Sequence, residues 1–335
     1  MSPFARFFRA ASWVVVLAFV LLALVMLLAP GSDWGWQARV SVTAAIFRPV
    51  RFVPFAQSRD SRCTLADAWR EAVPESAILG RSIERNIRPV RGDGDLEEID
   101  TPDGRWWIPA GDRLSFAEEL AEQSQEEYGT DLRGVQPKDV VLDCGANVGV
   151  FTRQALRHGA SKVVAIEPAP WALECLRRNF GDEIRTGRVL LYPKGVWDRE
   201  DTLELNIPPG MASTAATVAL HQAQGKVFQV PLTTIDRMVA ELKLERVDFI
   251  KMDIEGAEPN ALRGAVETVG YFHPRMAISL EHRPTDPETI PSLTRQLWPD
   301  YRAECGVCTN MKDHLQPVVM FARELPNSAA NESRR

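Results

Sequence analysis

The chain has 335 residues, 45% of them apolar and 25% charged, an ordinary globular composition that can fill a sizeable core. Its 45 acidic side chains outnumber 39 basic ones, giving a formal net charge of -6, which argues against a nucleic-acid-binding domain with its concentrated basic face. The five cysteines, Cys63, Cys144, Cys175, Cys305 and Cys308, are odd in number and scattered; they describe no disulfide framework and fit a reducing compartment.

Arg6 and Arg9 precede an uncharged apolar run, Trp13–Ala29, and Trp34 and Trp36 follow it. With its flanks the run reaches roughly 18–20 residues, enough to cross a hydrocarbon core as a helix. A cleaved signal would carry a shorter run of about 7–15 residues, so a retained single-pass membrane anchor is expected over residues 1–31. The stretch Arg39–Phe55 mixes arginines with Val, Ile and Phe, which suits either an anionic membrane surface or a plain linker. Residues 32–103 are expected to form a juxtamembrane linker and the start of a small cap. There Gly92–Asp95 and Pro102–Gly104 read as turns, and Leu96–Asp100 pairs with Arg105–Pro109 as a hairpin with Trp106 and Trp107 on opposite faces. Ser115–Tyr128 follows as a helix with Phe116, Leu120 and Tyr128 on one stripe and its acids elsewhere, ended by Gly129.

From Lys138 the pattern becomes short apolar runs alternating with helical stretches. Asp139–Asp143, Lys162–Glu167, Arg188–Tyr192, Val247–Asp253 and Arg275–Glu281 read as buried strands. Val148–His158, Pro170–Phe180, Thr233–Leu242 and Glu258–Val269 read as helices. This alternation predicts an α/β fold whose mostly parallel sheet is covered on both faces. Tyr301–Gly306 and Pro317–Glu324 are expected to close it as an antiparallel hairpin, and residues 326–335 read as a disordered tail.

The first chemical constellation is the turn Asp143-Cys144-Gly145-Ala146-Asn147-Val148-Gly149 between a strand and a helix. Small residues let a ligand approach the backbone, and the helix start offers free N–H groups. The next strand ends in Glu167, placed to accept hydrogen bonds from both hydroxyls of a ribose. A dinucleotide fingerprint would read G-x-G-x-x-G. Here an acid precedes the turn instead, suited to the positive methionine portion of S-adenosyl-L-methionine (AdoMet). That cofactor is therefore favoured over NAD, and an NAD(P)-dependent oxidoreductase is the alternative enzyme class.

The second constellation, Lys251-Met252-Asp253-Ile254-Glu255-Gly256-Ala257-Glu258, closes the fourth strand, where open sheets bind ligands. Asp253, Glu255 and Glu258 therefore face the meeting point of donor and acceptor, with Lys251 as a neutralising partner; the plainer reading has Glu258 capping the next helix. The third, Ser279-Leu280-Glu281-His282-Arg283, puts an imidazole at a strand end, where it would serve as a general base. A divalent ion on Asp253, Glu255 and Glu281 has oxygen ligands in its favour, but no metal is expected. Cys305-Gly306-Val307-Cys308 lacks the second ligand pair of a zinc site and reads as structural.

Together, Val140–Gly149, Glu167, Gly195–Glu200, Thr234–Asp236 and Lys251–Glu258 resemble the FkbM family of methyltransferases, in order and spacing, across about residues 104–325. The resemblance implies a Rossmann-like class I methyltransferase with a seven-stranded sheet, acting on a hydroxyl of a sugar, glycan, lipid-linked or related small-molecule acceptor. It also implies that Asp143, Gly145, Asn147 and Gly149 hold the methionine part of AdoMet and Glu167 the ribose, with Gly195 and Val196 beside the adenine. Asp253, His282 and Glu281 are the implied catalytic residues, and Glu255 and Glu258 complete the acidic motif. Because AdoMet is a cytosolic metabolite, the catalytic domain is expected on the cytosolic side of the membrane. A non-catalytic membrane-tethered scaffold is the remaining alternative.

Overall fold

The structure is a computed structural model that describes residues 48–73, 75–130, 132–207, 226–311 and 314–324. Among these, no helix is long and apolar enough to cross a membrane. The Trp13–Ala29 run and the tail after Glu324 lie outside the described residues. The chain divides into two compact units, one from residues 1–82 with 308–316 and the other from 83–307 with 317–335.

The larger unit opens with an antiparallel sheet of β1 (Arg88–Asp93), β2 (Leu96–Thr101) and β3 (Gly104–Pro109). The hairpin expected from sequence is β2–β3. Trp106 and Trp107 leave opposite faces of β3, yet both are buried. Trp106 packs against Phe116 and Phe180, and Trp107 is flanked by the guanidinium groups of Arg91 and Arg178. Helix α1 (Arg113–Ser124) follows, burying Phe116, Ala117 and Leu120 against the same core.

Next come β4 (Val140–Cys144), α2 (Val150–Arg157), β5 (Lys162–Ile166), α3 (Pro170–Asn179) and β6 (Val189–Tyr192). After β7 (Gly195–Val196), β8 (Asp201–Ile207), β9 (Lys226–Thr233) and α4 (Ile235–Glu241), the chain enters β10 (Phe249–Met252). Helices α5 (Glu258–Arg263) and α6 (Val266–Phe272) lead to β11 (Arg275–Ser279), then α7 (Asp286–Leu297), β12 (Tyr301–Cys305) and β13 (Val319–Glu324). The seven-stranded sheet runs β12-β13-β11-β10-β4-β5-β6. It is parallel from β6 to β11, while β13 is antiparallel to both its neighbours. The five inner strands are nearly continuous apolar runs, as burial on both faces requires.

Two details differ from the sequence reading. The helix expected over Glu258–Val269 is broken at Gly264, where an added Cβ would sit 2.1 Å from the Trp197 carbonyl oxygen. A second sheet, β7-β9-β8, sits beside the main one; its strands were not distinguished in the sequence because they fall outside the strand–helix alternation.

In the smaller unit a helix over Leu65–Glu71 starts with a capping box. The Thr64 hydroxyl accepts the Asp67 N–H at 3.1 Å, and the Asp67 carboxylate accepts the Thr64 N–H at 2.7 Å. Its core is Phe55, Cys63, Ala68, Ala72, Cys308 and Leu315. Cys63 and Cys308 form a disulfide with a Cα–Cα distance of 6.0 Å. This corrects the reading of the cysteines as unpaired. The partners lie 245 residues apart, and the fold rather than sequence spacing brings them together.

Candidate active site

Strands β4, β5, β10 and β11 end on one edge of the sheet, above a cavity of about 390 Å³. Its first wall is the turn from β4 into α2. Gly145 has φ +79°, and a Cβ there would lie 1.9 Å from the carbonyl oxygen of Asp253. Gly145→Ala is therefore expected to cost about 2–5 kcal/mol from backbone strain plus overpacking, read as a lowered denaturation midpoint. Asn147, also left-handed at φ +47°, joins two acids. Its N–H donates to Glu167 Oε2 at 2.9 Å, and its side-chain amide donates to Glu119 Oε2 at 3.0 Å. Glu167 also accepts the Ala169 N–H at 2.8 Å. Burial pushes the Glu167 carboxyl up to about 7, against the pull of those two N–H groups.

Lys251 forms the floor. It is 4% exposed and donates to the Gly145 carbonyl at 2.8 Å, with Nζ 3.4 Å from Asp143 and 3.8 Å from Asp253. Burial disfavours its charge, but Asp143, Asp253 and Glu119 override that and hold its pKa above the ordinary value. Asp143 is wholly buried, with Oδ2 accepting the Thr152 hydroxyl at 2.6 Å. It is turned toward Thr152 and Lys251 and does not line the cavity. Strand alternation explains this displacement from the expected methionine contact: Asp143 and Lys251 are register partners in adjacent strands. Gly149 likewise lies away from the cavity, and a Cβ there would lie 2.2 Å from the ring of Phe180.

The third wall is built by a sharp reversal after β10. Glu255 at φ +56° and Gly256 at φ +92° turn the chain so that Glu258, at the start of α5, points back. Glu258 Oε1 accepts the Ile254 N–H at 2.8 Å and lies 2.9 Å from His282 Nδ1. This second contact is an ion pair by distance rather than an aligned hydrogen bond, and Glu258 Oε2 is buried without a hydrogen-bond partner. His282 Nε2 is 3.4 Å from Asp253 Oδ1 and 3.7 Å from Glu255 Oε2. Burial works against the imidazolium, but Glu258, followed by Asp253 and Glu255, lifts His282 to about 9. Burial similarly opposes the Asp253 carboxylate, while Lys251 and His282 keep it below its usual range. The Tyr128 hydroxyl donates to Asp253 Oδ2 at 3.0 Å.

The structure thus gathers Gly145, Asn147, Glu167, Gly195, Val196 and Asp253 around one cavity, together with Glu255, Glu281 and His282. Glu258 stands behind His282, outside the lining. Asp253, Glu258 and His282 also bring ligand atoms within 4.8 Å of one another, the spacing of a cation site; the trio weighed from sequence was Asp253, Glu255 and Glu281. Sequence reasoning missed Glu119, Glu122 and Glu127, which line the cavity from α1 and the segment after it. Their signal was a dense run of acids just before the strand–helix alternation, placed off the apolar stripe of the helix and given no role. Trp171, Leu203 and Leu232, at the end near Gly195, were also missed.

The methyltransferase FkbM domain model matches residues 143–306. The chain carries an FkbM methyltransferase domain. The 31-O-demethyl-FK506 methyltransferase FkbM of Streptomyces tacrolimicus is 27% identical over 203 residues, spanning 52% of this chain and 76% of that protein. The 2-O-methyltransferase NoeI of Sinorhizobium fredii is 26% identical over 149 residues, spanning 40% of this chain and 60% of its own length. Among solved structures, the methyltransferase FkbM from Methylobacillus flagellatus KT is similar at 19% identity and a TM-score of 0.41, covering 77% of this chain and 60% of that one. The FkbM methyltransferase domain therefore runs from Asp143 through Gly306, with α1 and the β1–β3 sheet ahead of it.

Proposed function

We propose that this methyltransferase takes its methyl group from AdoMet and places it on a hydroxyl of a sugar, glycan or related small-molecule acceptor. The observation that carries the reading is His282, its Nδ1 beside buried Glu258 and its Nε2 toward Asp253 at the cavity. The cavity suits the cofactor. Gly145 and Asn147 line it on the side of the turn, Glu167 offers its remaining lone pairs to ribose hydroxyls, and Gly195, Val196 and Trp171 form an end for a flat ring. When bound, AdoMet supplies an activated methyl carbon on a sulfonium.

The protein must align the acceptor oxygen and exclude water. Asp253 would orient the hydroxyl and His282 Nε2 would take its proton, with S-adenosylhomocysteine as the leaving group of the broken carbon–sulfur bond. Glu258 then neutralises the imidazolium. The tested pair of outcomes is direct. Calorimetry is expected to show S-adenosylhomocysteine binding, and mass spectrometry of envelope lipids and glycans a methyl group lost when the gene product is absent. NADH binding without S-adenosylhomocysteine binding would overturn the reading.

A pH dependence follows from Glu167. Ribose hydroxyls donate to its ionised form, so binding must expel any proton the empty site holds. With its pKa pushed up to about 7, affinity for S-adenosylhomocysteine is expected to rise from pH 6 to pH 8. Titration calorimetry across that range checks the sign.

Membrane attachment through Trp13–Ala29 rests on the sequence; its loss from the membrane fraction after deletion of residues 1–31 is the expected result. Two facts oppose each other on the side of the membrane. AdoMet is made in the cytosol, whereas a disulfide such as Cys63–Cys308 persists in oxidising compartments. Thiol labelling in unbroken cells decides, since two reactive thiols indicate the cytosolic side and a protected pair the other.

A further inference from the structure

The acid expected to receive the methionine end of AdoMet was Asp143, and the structure removes it: it is wholly buried and committed to Thr152 and Lys251. The cavity wall near Gly145 still presents a carboxylate, from a different element. Glu119 lies on α1, ahead of the segment matched by the family domain, and lines the cavity beside Asn147. Its Oε2 accepts the Asn147 side-chain amide at 3.0 Å. The same Asn147 gives its backbone N–H to Glu167, so one left-handed residue stands between two acids. Glu167 is the ribose acid of the proposed function; Glu119 therefore sits on the other flank of the turn, where the chain beyond the ribose leads.

We propose that Glu119 is a cofactor-binding residue, its carboxylate pairing with the α-ammonium of the methionine portion of AdoMet. The inference rests on the AdoMet reading above. A carboxylate held by one neutral donor has lone pairs left for a charged partner, and a charge-assisted hydrogen bond is the strong kind. Lys251 acts on Glu119 through space, but its close contacts go to Gly145, Asp143 and Asp253, which leaves the Glu119 carboxylate free for a direct cationic partner. Helix α1 then becomes part of the cofactor site rather than a cap over it. Its apolar stripe, Phe116 and Leu120, anchors the helix in the core while the neighbouring position 119 faces the ligand.

The test compares two ligands on the full chain by calorimetry: S-adenosylhomocysteine, which has the α-ammonium, and 5′-methylthioadenosine, which keeps the adenosine and sulfur but lacks the amino-acid group. Glu119→Gln, which preserves size and the contact to Asn147, is expected to weaken S-adenosylhomocysteine about 10- to 100-fold and to leave 5′-methylthioadenosine within about twofold. Glu119→Asp keeps the charge one methylene back and is expected to recover part of the loss. Equal weakening of both ligands would assign Glu119 to supporting the turn and overturn the proposal, as would unchanged binding of both. Failure of the unmutated protein to bind either ligand would instead defeat the AdoMet reading itself, and the inference with it.

Discussion

His282→Ala is expected to slow methyl transfer by about 10²- to 10⁴-fold, the usual contribution of a positioned general base, while S-adenosylhomocysteine still binds with nearly unchanged affinity. The two readouts separate because His282 stands at the β11 end of the cavity, where its ion-pair contacts are to Asp253, Glu255 and Glu258. In cells, the variant should reproduce the lost methyl group of the deletion. Glu258→Gln sharpens the assignment. Glu258, with Asp253 and Glu255, lifts the imidazole to about 9 in the empty site against the effect of burial. A base must be deprotonated to act, so the rate is expected to climb with pH. Removing the Glu258 charge lowers the imidazole pKa and moves that rising limb to lower pH. A fall in rate with no movement of the limb would assign Glu258 to holding the Ile254 loop alone, through its hydrogen bond to that N–H.

Lys251→Met is expected to cost about 3–5 kcal/mol of stability, the range for removing one partner from a buried ion pair. Lys251 and Asp143 are 4% and 0% exposed and 3.4 Å apart, and Asp253 stands on the other side of the ammonium at 3.8 Å. Loss of the cation leaves Asp143 buried and uncompensated and the Gly145 carbonyl without its donor. Denaturant titration measures the loss. Asp143→Asn in the same chain should recover a good part of it, since the uncompensated charge is then gone. A lysine that served only the ligand would leave stability untouched.

Much of this was legible before the fold. Buried parallel strands announce themselves as short apolar runs, and β4, β5, β6, β10 and β11 fall within a residue or two of where those runs lie. The turn at Gly145–Gly149 and the acids at Asp253–Glu258 were legible because ligand sites in open sheets form at strand ends. What escaped has a common cause. Asp143 and Glu119 were both recognisable as acids, but which faces the cavity depends on pairing between β4 and β10 and on how α1 docks. Both are long-range facts. The Cys63–Cys308 bond is the same kind of omission. The role of Glu258 was half visible: a capping acid was one reading of the spacing, and the left-handed pair Glu255-Gly256 is what also swings it behind His282.

The placement of β13 bears on how the protein is made. It follows every other strand of its sheet in the chain, yet it occupies an interior slot, hydrogen-bonded to β11 on one side and β12 on the other. Val319–Ala322 are all buried there. A nascent chain that has emerged only as far as Pro317 therefore holds a sheet with a gap, β12 cut off from β11 and two rows of backbone groups unpaired. Removing Val319–Glu324 leaves every cavity residue in the chain and opens the sheet beneath them, so such a deletion is expected to act on folding before it acts on chemistry.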